Sequence, residues 1–97
     1  MTVEEFRASL GSQAPPAGLA LALQTLWWEA KGDWDKAHEC AMADDGRDGA
    51  WVHGYLHRKE GDRGNARYWY RLAGKPEPSE ALAQEWAAIL TALLPQP

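Results

Sequence analysis

Apolar positions recur along this chain at three- and four-residue intervals, in runs punctuated by glycine, aspartate and proline. Val3, Phe6 and Leu10 follow the capping-box pattern Thr2-Val3-Glu4-Glu5, which predicts a short helix ending near Leu10. Gly11 to Pro16 is rich in helix breakers and reads as a loop. Leu19, Leu23, Leu26 and Trp27 form a stripe that Leu21 and Trp28 widen. The spacing predicts a helix from Ala17 to Lys31, covered on at least two sides. Ala37 and Ala41 mark a helix from Trp34 to about Ala43, close enough in size to let a neighbour approach. Asp44 to Gly49 reads as a polar turn. Helices are predicted from Ala50 to Glu60 and from about Gly64 to Ala73. Leu82, Trp86, Ile89, Leu90 and Leu93 line one face of a last helix, with Ser79 as its expected cap. No segment alternates as a strand would, so the predicted fold class is all-α.

The punctuation repeats. Glu29-Ala30-Lys31-Gly32-Asp33 with Ala37 returns 29 positions later as Arg58-Lys59-Glu60-Gly61-Asp62 with Ala66. In each, glycine suits the left-handed residue that closes a helix and aspartate suits the N-cap of the next. The reading is two helical hairpins, each reversed at Gly-Asp.

Gly54, Ala66, Tyr70 and Pro78 also fall at the spacing of the Gly, Ala, second aromatic and Pro of the tetratricopeptide pattern. Gly32 and Ala37 match it in the first hairpin, with Trp28 in the Tyr position and Ala41 where an aromatic is usual. Residues 17 to 78 therefore resemble the tetratricopeptide family, at an offset shorter than its usual repeat of about 34 residues. The run Trp51-Val52-His53-Gly54-Tyr55-Leu56-His57-Arg58, with Gly61-Asp62, Asn65-Ala66 and Tyr68-Trp69-Tyr70, resembles a family of small uncharacterised bacterial proteins. That likeness implies a compact helical-repeat fold and brings no activity with it.

The resemblance implies two tetratricopeptide-like antiparallel hairpins, flanked by a short N-terminal helix and a C-terminal lid helix, in one domain spanning 1–97. Two hairpins leave repeat ends open, whereas about three repeats are needed for stability. The flanking helices are thus expected to close the bundle. In such repeats the helix from Ala50 to Glu60 lines the inner face, which makes Trp51, Tyr55, Arg58 and Lys59 the expected contact surface.

Composition narrows the function classes. A net charge of −4 argues against the whole molecule binding nucleic acid. Cys40 is the single cysteine, so no internal disulfide forms and a reducing compartment is expected. The acidic start is unlike a secretory or transit peptide. The longest apolar stretch, Ala17 to Trp28, is too short to span a bilayer. The expected location is the cytoplasm, with no membrane partner.

Residues 58 to 75 carry a local charge of +4 within this acidic chain. Arg63, Arg67 and Arg71 recur every four residues and interleave with Tyr68 and Trp69, a surface suited to an anion, an acidic protein or peptide partner or single-stranded nucleic acid, although three arginines are few for the last. A second copy of the chain, presenting the acidic region 29 to 48, is the alternative partner. Tyr68-Trp69-Tyr70 spans about 200° of a helix, more than one narrow stripe can bury. Tyr70 is expected inside, with Tyr68 or Trp69 meeting the lid helix or a partner.

Where the repeat pattern wants Leu and Tyr, the chain has His53 and His57, four apart on one helix face and expected at the seam with the following helix. Glu60 lies three residues further on, and His38, with Glu39 and Cys40, could add a ligand from the preceding helix. This spacing is what a helical zinc site uses, although no His-Glu-x-x-His motif is present. Two hydrogen-bonded core histidines are the bland alternative. Cys40 and His38 are too close in sequence to share a face, so Cys40 is read as a packing residue. The leading expectation is a non-enzymatic interaction module without a cofactor. The rival is a small metal- or histidine-dependent ligand-binding protein or enzyme centred on His53 and His57.

Overall fold

Short polar turns and alanine-lined faces make helices pair with their sequence neighbours, and the computed structural model, which describes residues 1–95, shows that result. Among the described residues six α-helices run in the order α1 (Val3–Ser9), α2 (Leu21–Ala30), α3 (Trp34–Ala43), α4 (Arg47–Glu60), α5 (Arg63–Ala73) and α6 (Leu82–Leu93). No strand occurs among the described residues, and none of their helices is long and apolar enough to cross a membrane. α2 packs on α3 and α4 on α5, forming two hairpins, while α6 lies across both α2 and α4.

The two reversals are built alike. Gly32 and Gly61 adopt φ of 85° and 91°, a conformation that costs glycine little. Asp33 N–H returns to the Trp28 carbonyl and Asp62 N–H to that of His57, both at 2.9 Å, which closes each helix in a Schellman-type turn. The Asp33 carboxylate then accepts from Lys36 N–H at 3.0 Å and that of Asp62 from Asn65 N–H at 3.2 Å. Each aspartate so caps the next helix. The Thr2–Glu5 capping box is also complete.

Three helix starts differ from the sequence expectation. α2 begins at Leu21, because Gly18 at φ 83° turns the chain first. α4 begins at Arg47, so Gly49 belongs to the helix. A Cβ there would come within 2.4 Å of the Asp44 carbonyl, so only glycine lets the chain pass this close. α6 begins at Leu82 after Ala81, and Ser79 does not cap it. Arg58 donates to the Glu80 carbonyl and holds the preceding chain extended.

α4 occupies the centre, touching α2, α3, α5 and α6. Every residue from Val52 to His57 is buried, which for consecutive helix positions means cover on all sides. The apolar core gathers Phe6, Leu26, Trp27, Val52, Leu56 and Ile89 around it. Trp86 fastens α6 to this core, donating from Nε1 to the Leu26 carbonyl at 3.2 Å and packing its ring 6.0 Å from that of Phe6.

Candidate functional site: a histidine cluster walled by tryptophan

Burying a helix on all sides puts its polar residues under constraint, and α4 carries two imidazoles inward. His53 and His57 are 3% and 6% exposed. Their i, i+4 spacing stacks the rings 4.9 Å apart, 23° from parallel. Both face α3, where Ala37 and Ala41 are buried and the His38 ring lies edge-on to the two imidazoles. His38 Nε2 meets His53 Nε2 at 3.0 Å, and its ring lies 5.4 Å from that of His57. The chain has three histidines, and all of them meet here.

Two indoles wall the cluster. Trp34, one turn before His38 on α3, stacks on that ring at 4.8 Å and meets His57 edge-on. Trp69 of α5 stacks on the outer face of His53. Glu60, one turn beyond His57, has Oε1 2.6 Å from His57 Nδ1. With Nδ1–H donating to that carboxylate, the neutral tautomer of His57 has its lone pair on Nε2. His53 Nδ1 is buried without a hydrogen-bond partner.

Burial pushes the His53 pKa down to about 4, and the neighbouring His38 and His57 push the same way. Burial likewise lowers His38, with His57 contributing. Both rings are therefore neutral near pH 7, the form that offers a lone pair to a ligand. A cavity of about 350 Å³ opens against this cluster, with His53 and Trp69 on its wall, Met42 and Leu72 beside them, and Asp45 and Arg47 among its polar lining.

No family model, curated protein or solved structure matches this chain.

The sequence-predicted residues divide into two groups. His38, His53, His57 and Glu60 come together. The expected inner contact face does not: Tyr55 is 3% exposed, Arg58 is tied to the buried Glu85 at 2.7 Å, and Lys59 is paired with the buried Glu29. α6 and α2 cover the side of α4 that an open repeat would leave bare. Trp51 is half-buried under Lys75, whose Nζ sits 4.1 Å from the ring centroid. Trp69 meets His53, not the lid helix. Arg63, Arg67 and Tyr68 stay on the outside, with Arg67 3.4 Å from Glu77.

Cys40 points elsewhere, its Sγ 4.0 Å from Gln24 Oε1 on α2. Trp34 and Trp69 were the missed members of the site. Trp34 had a sequence signal, its i, i+4 spacing to His38, whereas Trp69 reaches His53 only through the packing of α5 on α4.

Proposed function

We propose that this protein is a small binding protein whose site is the imidazole cluster of His38, His53 and His57. One observation carries the reading: every histidine in the chain converges at one point, and a ring nitrogen is left there buried and unpartnered. Architecture alone gives no reason for that arrangement. An unsatisfied buried polar atom costs stability, and an apolar side chain at position 53 would fill the same space without that cost. Destabilising groups of this kind persist where a site needs them. The adjoining cavity supplies access.

The test needs no knowledge of the ligand. His53→Leu and His57→Tyr are expected to leave urea stability unchanged or raised. A loss above about 2 kcal/mol in both, the scale of a disrupted core contact, returns the histidines to a structural role.

The outer face of α5 favours a second reading, the interaction module that the hairpin order and the tetratricopeptide resemblance suggest. Tyr68 and Leu72 are 54% and 51% exposed. Arg63 and Arg71 beside them make no ion pair among the described residues. Such a surface suits an acidic segment of a partner protein that presents one apolar side chain. A labelled peptide of alternating glutamate and leucine is expected to bind in a salt-sensitive manner, with Arg71→Glu abolishing it. Binding indifferent to both salt and Arg71 removes this reading.

A further inference from the structure

We infer that the cluster is a transition-metal site, in which one divalent ion of the zinc class is held by His38, His53 and His57, with Glu60 as the carboxylate behind His57. The inference rests on the binding reading above and names its ligand.

One pair of the cluster already has nearly the spacing of a loaded site, and the third imidazole is within reach. One candidate ligand atom from each histidine lies within 4.8 Å of the others. Imidazoles around a tetrahedral ion place their nitrogens about 3.3 Å apart, given metal–nitrogen bonds of about 2.05 Å. His38 Nε2 and His53 Nε2, now 3.0 Å apart, need only separate by a few tenths of an ångström. A direct hydrogen bond between two neutral imidazoles satisfies one lone pair with one proton. An ion engages both nitrogens once the donor ring carries its proton on Nδ1 instead, the other neutral tautomer of the same imidazole.

Glu60 supplies the second argument. A ligating histidine ordinarily donates its other N–H to a carboxylate or carbonyl, which fixes the tautomer and makes the ligand more basic. The 2.6 Å contact from Glu60 to His57 Nδ1 has that form before any ion is present. His53 lacks such a partner on Nδ1, so the carboxylate behind His57 is the tuning group of the site. The donor type selects the ion. Three neutral nitrogens suit zinc, cobalt, nickel and copper, whereas magnesium and calcium require oxygen ligands. Thiolate is absent from the set because Cys40 faces α2.

A competing group exists. His57, Glu60 and Asp62 also bring one candidate ligand atom each within 4.8 Å of one another, using the opposite side of the same imidazole. Glu60 and Asp62 are exposed and Asp62 caps α5, so this group lacks the enclosure of the first.

The experiment is calorimetric titration of Zn(II) into tag-free protein at neutral pH, with Co(II) absorption as the coordination probe. One ion per chain is expected, together with the visible bands of low-coordinate cobalt. His38→Phe and His53→Leu should each abolish binding, Glu60→Gln should weaken it ten- to a hundredfold, and Asp62→Asn should leave it unchanged. Binding that survives both histidine substitutions and vanishes in Asp62→Asn moves the ion to the outer group and overturns the inference. Failure of Zn(II) and Co(II) to bind the wild-type protein also overturns it. If His53→Leu and His57→Tyr still retain or gain stability in that case, the metal falls and the binding site stands.

Discussion

Trp69 lies face to face with His53, ring centroids 3.8 Å apart and planes 10° from parallel. The indole covers one face of the imidazole, and both rings line the cavity. Trp69→Leu is expected to cost about 1–3 kcal/mol by urea denaturation, from lost area and stacking, and Trp69→Phe less. Opening that wall should also raise the His53 pKa toward its ordinary value, read from its ring protons by NMR titration. An unshifted His53 in Trp69→Leu would show that burial comes from the other elements.

Stability of the metal-free protein should fall in mild acid. His53 titrates near 4 when folded and near 6.5 otherwise. As pH drops below 6.5 the unfolded chain takes the proton first, so stability present above 6.5 is lost progressively down to about 4. The groups facing His53 and its neighbours are His38, His57, Trp69, Glu60 and Asp35. At 1.36 kcal/mol per unit, His53 alone accounts for about 3 kcal/mol across that window. Urea midpoints at pH 7 and pH 5 measure the effect, and His53→Leu should flatten the difference.

Gly54 is where α4 and α5 come closest. A Cβ there would lie 3.0–3.2 Å from the Tyr70 ring, and that ring is pinned because its hydroxyl donates to Glu85 Oε2 at 2.5 Å. Alanine ordinarily favours a helix over glycine by about 1 kcal/mol. Here Gly54→Ala is expected to destabilise by about 1–2 kcal/mol net, since overpacking outweighs propensity. An increase in melting temperature would show that Tyr70 has room to move.

Glu85 joins three helices. Its carboxylate, 3% exposed, accepts from Arg58 on α4 and Tyr70 on α5. Burial, then the bond to Glu85, raises the Tyr70 phenol above its ordinary pKa. Glu85→Ala leaves a guanidinium and a phenol without their acceptor. The expected loss is about 3 kcal/mol, the scale for breaking one side of a buried pair. Glu80→Ala, removing an exposed side chain whose backbone carbonyl alone is used, should be neutral within about 0.5 kcal/mol.

The hairpin frame was legible because its signals are local. Gly32 with Asp33, Gly61 with Asp62, and Thr2 with Glu5 each satisfy backbone groups within a few residues, so residue type alone reveals them. Asp44 to Gly49 misled because glycine serves two purposes. Gly46 is an N-cap, but Gly49 is a helical residue whose missing side chain admits Asp44, a contact no periodicity announces. The His53–His57 pair was legible from spacing, and His38 was visible as a candidate one helix earlier. The cover over Tyr55 was not. It depends on α6 crossing α4 and on the pairs Arg58–Glu85 and Lys59–Glu29, which span 27 and 30 positions. Charge pairs of that range carry no sequence signature, so the Tyr55 side of α4 read as an open contact face although α2 and α6 pack over it.

Trp86 ties itself to Leu26 across sixty positions and also touches Phe6. Tandem expansion is therefore closed to this molecule: a third hairpin inserted after α5 would have to dislodge the indole that seals the other two. Relatives of this chain are expected to diversify by exchanging side chains around a constant number of helices, and not by lengthening the array.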